Sequence, residues 1–159
     1  MTPKDIAQNL AVSKDFFDRS TRCLTEALSG YKPTDEMMTV AQQVAHVAQT
    51  YEWFMDGAFH RPDGFDMNPE VHTRDVMKVT SLADARAWLD KAVSSTIEEL
   101  ESKSMDELMA PLPPGPVMGG LPKMSIVGAI EEHTAHHRGS LSVYSRLNGL
   151  VPDMPYMDM

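Results

Sequence analysis

Apolar residues recur along most of this chain at steps of three and four positions, which is the spacing of one face of an α-helix. Strands would show strict alternation, and such segments are hard to find. The apolar stripes predict four helices, at about residues 3–28, 37–58, 81–104 and 124–148. Four helices of this length bury their stripes most economically against each other. The sequence therefore predicts an all-α fold, and specifically a four-helix bundle.

Two long segments connect the predicted helices. Residues 59–80 are polar and interrupted by prolines and a glycine, and they are long enough to carry the chain along a bundle. Residues 111–122 hold five of the eleven prolines and three of the nine glycines, a composition that no helix interior tolerates. About 37 residues follow this loop, too few for a core of their own. We therefore expect residues 1–159 to form a single domain.

The charge balance and the cysteine count bound the partners and the compartment. Lys and Arg total 14 and Asp and Glu total 23, so the formal charge is −9. An acidic surface repels a phosphate backbone, and we expect no nucleic-acid partner. Cys23 is the single cysteine, so no internal disulfide forms, and we interpret it as a small core residue. No apolar run reaches the length of a signal peptide or a membrane span, so we expect a cytoplasmic protein that binds no membrane.

The predicted fourth helix places two histidines on its apolar face. Alternate steps of four and three follow this face through Ile126, Ile130, His133, His137, Ser140, Tyr144 and Leu147. His133 and His137 differ by about 40° in direction and stand one turn apart, so both imidazoles can reach one point. This is the geometry that a chelating pair on a helix requires, and neutral imidazole is a natural ligand for zinc, nickel, copper or iron.

A third ligand must come from another helix, and His46 is the candidate because His60 and His72 fall in the polar connection. His46 lies about 120° from the middle of the apolar stripe of its helix. It shares that flank with Gln43, Thr50 and Trp53. A flank of this kind can face a neighbouring helix, so the spacing leaves two interpretations open: a metal site, or histidines that serve as hydrogen-bonded core groups.

Two familiar metal motifs do not fit this segment. A zinc protease has Glu directly after its first histidine, where this chain has Thr134. A ferritin-like di-iron site has Glu three residues before an inward histidine, where Ile130 precedes His133. The spacing disfavours both classes.

The histidine segments resemble the DinB/YfiT-like family of four-helix-bundle metalloproteins. The resemblance rests on Ala-His-Val at residues 45–47 and on His-x-x-x-His-Arg-Gly at residues 133–139, and the order of elements agrees over nearly the whole chain. The chain departs from the family at Ser140, where Gln is frequent. We interpret Gly139 as a place where another helix approaches closely.

The resemblance implies an up-down-down-up bundle in which His46, His133 and His137 hold a divalent metal, zinc or nickel. Three imidazoles leave coordination positions open to water or a thiolate, the pattern of a catalytic metal. Relatives in the fold superfamily resemble transferases and isomerases that use bacillithiol or mycothiol. The implied function is a metal-dependent thiol S-transferase, or a hydrolase that uses metal-bound water, acting on a small-molecule substrate with a low-molecular-weight thiol as the possible cosubstrate.

Two other functions stay open beside this one. The chain can be a non-catalytic stress-response module that holds a metal or small ligand, or a structural bundle whose histidines are core groups. If a metal is bound, we expect its loss as the pH falls through about 6, because only neutral imidazole ligates. The Met- and Pro-rich tail, residues 151–159, is apolar enough to cover a bundle edge or to join a homodimer interface.

Overall fold

The computed structural model describes residues 1–157, and their regular structure is helical. The α-helices are α1 (Pro3–Thr21), α2 (Val40–Met55), α3 (Pro69–Val76), α4 (Leu82–Ser102), α5 (Met105–Met109) and α6 (Ser125–Leu147). A 3-10 turn covers Glu26–Leu28, and a π-helical turn, Asp56–His60, continues α2. In place of a strand these residues form one isolated bridge, between Pro111 and Pro122. None of the helices in this part of the chain is both long and apolar enough to cross a bilayer.

Side-chain caps determine where three of the long helices begin. Thr2 and Thr39 each form a capping box with the residue three positions on, at the starts of α1 and α2. Ser81 accepts a hydrogen bond from the backbone N–H of Asp84 at the start of α4, as the sequence predicts. These bonds satisfy N–H groups that have no partner within the helix.

The first helix ends earlier than its predicted limit at residue 28. The backbone of α1 stops at Thr21, and only the short 3-10 turn follows. The hydroxyl of Thr21 donates to the carbonyl of Phe17, and the guanidinium of Arg86 on α4 donates to the carbonyl of Thr21 at 2.8 Å. The carbonyl of Thr21 also accepts from the N–H of Leu24 at 3.0 Å, so both the turn that follows and Arg86 on α4 pair with the end of the helix.

The predicted connections contain helices that the sequence interpretation missed. In the polar connection, Asn68 caps α3 by accepting a hydrogen bond from the N–H of Glu70, and Pro69 occupies the first turn. An Asn-Pro pair also signals a turn, which is why this helix was not predicted. Val76 anchors α3 as its buried residue. Beyond the third predicted helix, Ser104 begins α5 with a capping box.

The four long helices pack around one core. Helix α1 packs against α4 and α6, and α2 packs against the same two helices, with α3 beside α2. Burial of each large apolar side chain stabilises the fold by about 1.5–3 kcal/mol. Fully buried side chains of this core include Leu10, Phe17, Val40, Tyr51, Leu89, Leu100, Ile126, Ile130 and Leu141.

The carboxyl-terminal tail lies along the amino-terminal helix. Arg22 pairs with Asp153 at 3.0 Å, and the ring of Tyr156 meets that of Phe16 edge-on with centroids 5.2 Å apart. The tail therefore covers an edge of the bundle, as predicted. The last two residues of the predicted tail, 158 and 159, lie outside the described residues.

Candidate metal centre

Three histidines from two helices converge at one point between α2 and α6. One nitrogen from each of His46, His133 and His137 lies within 4.8 Å of the corresponding nitrogen of the others. The Nε2 atoms of His133 and His137 are 3.2 Å apart. The ring centroids of His46 lie 4.9 Å from those of both other histidines. The structure thus brings together the three residues that the sequence singled out.

His46 lies far from the apolar stripe of α2 because the flank of α2 that carries it faces α6. Gln43 and Thr50 stand one turn on either side of His46. Gln43 contacts His137, and the hydroxyl of Thr50 lies 3.5 Å from Nε2 of His133. A polar stripe on α2 therefore meets the histidine pair of α6 across the helix interface.

A chain of hydrogen bonds determines the tautomer of His137. The carbonyl of Met38 can only accept, so the hydroxyl of Tyr144 donates to it at 2.9 Å. That hydroxyl accepts from Nε2 of Gln43 at 3.3 Å, which leaves Oε1 of Gln43 facing Nδ1 of His137. Since Oε1 only accepts, Nδ1 of His137 carries the proton. Its Nε2 therefore presents a lone pair toward His133.

Each of the other two rings has a nitrogen that no protein group claims. Nδ1 of His46 and Nδ1 of His133 are buried and have no hydrogen-bond partner. The hydroxyl of Thr50 donates to the carbonyl of His46 at 2.9 Å, so its proton is not free for His133. A buried polar atom without a partner destabilises a fold by about 1–3 kcal/mol. The nitrogen of His133 that faces His137 is Nε2, at 3.2 Å from Nε2 of His137, so the unpartnered Nδ1 of His133 is a separate atom.

Burial keeps all three imidazoles neutral. Desolvation, followed by repulsion from the neighbouring histidines, lowers the pKa of His133 to about 4 and that of His137 to about 3. Desolvation also lowers the pKa of His46, although a hydrogen bond with Gln49 acts in the opposite direction. Neutral imidazole is the form that binds a metal, so at pH 7 the cluster needs to lose no proton from these rings to ligate.

A cavity of about 490 Å³ opens beside His46 and His133. Trp53, Phe54 and Ala129 supply apolar walls. The other lining residues are Gln49, Thr50, His72, Glu132 and His136. A second cavity, of about 530 Å³, shares Gln49, Trp53 and His72 with the first. A small molecule can therefore approach the histidines along an aromatic wall.

Contacts from the connection that carries α3 hold the aromatic wall in place. The indole Nε1 of Trp53 donates to the carbonyl of Asp66 at 2.8 Å, and the ring of Phe65 packs on Trp53 with centroids 4.9 Å apart. A Cβ atom at Gly57 would lie 2.3 Å from a ring carbon of Phe65. Glycine is thus the residue that lets Phe65 pack against the π-helical turn.

Comparison with known proteins identifies the family of the chain. A family model described as the DinB superfamily matches residues 13–141, most of the chain and the whole histidine cluster. The chain belongs to the DinB superfamily. A search of curated proteins finds no match.

In this DinB-superfamily chain the residues that follow His137 have structural contacts. Arg138 lies over the rings of Phe16 and Tyr156, 5.8 and 5.5 Å from their centroids, and so joins α6 to α1 and the tail. The hydroxyl of Ser140, where Gln is frequent, donates to the carbonyl of His136. A Cβ atom at Gly139 would meet nothing within 4 Å, so the interpretation of Gly139 as a close helix contact is wrong.

Sequence reasoning placed Gln43 beside His46 but missed its hydrogen bond to His137. It also missed the cavity, because Phe65 and Asp66 lie in a connection whose path the sequence does not reveal. A polar residue three positions before His46 on the same flank is the signal that could have identified Gln43.

Proposed function

We propose that this DinB-superfamily protein binds a divalent metal, zinc or nickel, through His46, His133 and His137. In this proposal the metal activates a thiol or water, which makes the protein a thiol-dependent S-transferase or a hydrolase. The observation that carries the proposal is the convergence of three neutral imidazoles, one buried and two half-buried, beside an open cavity.

The donor set fits such an ion. Two nitrogen ligands on a tetrahedral zinc are separated by about 3.3 Å, given Zn–N bonds of about 2.0–2.1 Å. The Nε2 atoms of His133 and His137 are 3.2 Å apart. Imidazole suits zinc, nickel, copper and iron, and the cluster contributes no carboxylate, the ligand that calcium and magnesium prefer.

A divalent ion bound at this position would lower the pKa of a thiol or of water, so that a nucleophile is available at neutral pH. The chain's own residues hold the ligands and shape the approach. The amide of Gln43 holds the proton on Nδ1 of His137, which keeps Nε2 available. Trp53 and Phe54 form a wall that excludes water and packs against the apolar part of a substrate.

The proposal includes the finer architecture. One domain over residues 1–159, arranged as an up-down-down-up bundle, agrees with the packing of α1 and α2 each against α4 and α6. A location in the cytoplasm agrees with the single cysteine. A homodimer agrees with the apolar residues that are exposed near the end of α6 and in the tail. These exposed residues are Val143, Leu147, Val151, Met154 and Met157. Light scattering coupled to size-exclusion chromatography measures the oligomeric state.

Turnover tests the catalytic part of the proposal. Protein loaded with zinc or nickel is incubated with low-molecular-weight thiols and an aryl or alkyl halide, and separately with activated esters, and product is measured. We expect a rate above background that His133→Ala abolishes and that Gln8→Ala, at an exposed position of α1 outside the cavity, leaves intact. A rate unaffected by His133→Ala overturns the enzymatic proposal. Stoichiometric metal without any turnover would favour the non-catalytic metal-binding module.

A further inference from the structure

The charged side chain that lines the cavity beside the histidines is negative. Glu132 is the carboxylate among its described lining residues, and none of these residues is Lys or Arg. Glu132 is exposed, stands directly before His133 on α6, and forms no ion pair within the described part of the chain. No Lys or Arg in the lining offsets the charge of Glu132, and the positive charge of the proposed metal lies at the histidines.

The adjoining cavity extends the same imbalance. Its lining includes Glu52, Asp56, Asp66 and Glu99 against the cations Arg61 and Lys91. Arg61 lies 3.9 Å from both Asp56 and Asp66, which offset its charge. Lys103 pairs with Glu99 at 3.0 Å, so the adjoining cavity has only a small excess of carboxylates over cations.

A matched carboxylate on the same helix faces elsewhere. Glu131 lines a different cavity, together with Phe16, Arg138 and Tyr156. Burial raises the pKa of Glu131. Substituting each of the two adjacent glutamates in turn therefore distinguishes a charge that lines the histidine cavity from a charge elsewhere on α6.

We propose that the ligand of this site carries a positive charge, such as an amine, at the end remote from the atom that reaches the histidines. This inference rests on the proposed metal site and names the class of ligand that reaches it. Attraction to Glu132 favours a cation, and the indole of Trp53 offers an aromatic surface on which a cation binds well. A carboxylate at the same end is repelled by Glu132, and the lining offers it no Lys or Arg, while the positive charge of the proposed metal lies at the histidine end of the ligand.

Three small thiols of similar size test the proposal, because they differ in the remote group alone. Cobalt(II) replaces the native metal, and thiolate-to-cobalt absorption reports the binding of 2-aminoethanethiol, 2-mercaptoethanol and 3-mercaptopropionate. We expect the aminothiol to bind about three- to tenfold more tightly than the carboxythiol, the range for a screened charge pair near a surface. Titrations at low and high salt show whether the preference is electrostatic, since salt weakens it.

Substitutions separate the cavity's charge from the intrinsic acidity of each thiol. The ratio of the affinity for 2-aminoethanethiol to the affinity for 3-mercaptopropionate should fall in Glu132→Gln to about one-third of its wild-type value or less. Glu131→Gln should leave this ratio unchanged. An equal ratio in wild type and Glu132→Gln overturns the inference, as does a loaded protein that binds none of the thiols. Failure of cobalt to bind in a histidine-dependent manner overturns the metal proposal itself. Normal cobalt binding without charge discrimination refutes this inference alone.

Discussion

Nδ1 of His137 donates a hydrogen bond to Oε1 of Gln43, which joins α6 to α2 at the point where the three imidazoles meet. Gln43 lies one turn before His46 on the same flank of α2. One amide therefore orients a histidine on α6 while its own helix positions another. This contact holds two histidines from different helices in register, as outer hydrogen bonds hold the ligands of metal sites.

Replacement of Gln43 tests that role. We expect Gln43→Leu to weaken zinc binding by about 10- to 100-fold, because Nδ1 of His137 loses its acceptor and the ring its orientation. Competition with a chromophoric chelator measures the affinity. Tyr144→Phe, which removes the hydroxyl that Gln43 donates to, should have a smaller effect in the same direction. Gln8→Leu, at an exposed position of α1, serves as the control and should bind zinc as wild type does.

The lowered histidine pKa values predict how the metal-free protein responds to acid. The pKa is about 4 for His133 and about 3 for His137 in the folded protein, against 6.5 for an ordinary histidine. Below about pH 6.5 the unfolded chain therefore binds more protons than the folded chain, so the free energy of unfolding decreases as the pH falls toward 4 and 3. Above pH 6.5 these two rings are neutral in both the folded and the unfolded chain, so they no longer reduce the free energy of unfolding.

Urea unfolding at pH 7, 5.5 and 4.5, with a chelator present, measures this slope. His133→Gln should make the slope shallower, and Gln8→Leu, at an exposed position of α1, should not. Identical slopes in wild type and His133→Gln would argue against the burial of this imidazole. For the metal-loaded protein, the same lowered pKa values move acid release of the metal below the value near pH 6 that the sequence alone suggests.

The contact between Gly57 and Phe65 predicts a cost for adding a single methyl group. Gly57→Ala places a Cβ atom 2.3 Å from the Phe65 ring, so the ring must move away from Trp53. We expect a loss of about 1–3 kcal/mol in the free energy of unfolding and a red shift of tryptophan fluorescence. Chemical denaturation followed by fluorescence measures both.

Two comparisons make the cause of this effect identifiable. In a Phe65→Ala background, Gly57→Ala should be nearly neutral, because the obstructing ring is gone. Gly139→Ala, where a Cβ atom meets nothing within 4 Å, should stabilise α6 by up to about 1 kcal/mol. A Gly57→Ala variant as stable as wild type would contradict the close approach of Phe65.

The long helices and the histidine triad are the parts that sequence patterns predict well. Apolar spacing indicates α2, α4 and α6 because their stripes are continuous, and the resemblance selects His46 from the flank of α2. The end of α1 could not be predicted, because it depends on Arg86, which is distant in sequence. The start of α3 was ambiguous because an Asn-Pro pair signals both a turn and a helix cap.

The cavity and the orientation of His137 depend on tertiary contacts that no local pattern encodes. Trp53 becomes a wall of the site only because Phe65 and Asp66 fold back on it from the connection. Gln43 becomes a positioning residue only because α6 packs on its flank. Spacing therefore identifies the candidate ligands, whereas the surroundings that tune them follow from the packing of elements far apart in the chain.

Metal analysis of tag-free protein tests the central claim most directly. We expect about one zinc or nickel ion per chain in wild-type protein, almost none in His46→Ala, and wild-type content in His60→Ala, whose ring pairs with Glu99 at 2.9 Å. A metal content that does not change in His46→Ala, or wild-type protein that binds no divalent ion even when it is supplied, would contradict it.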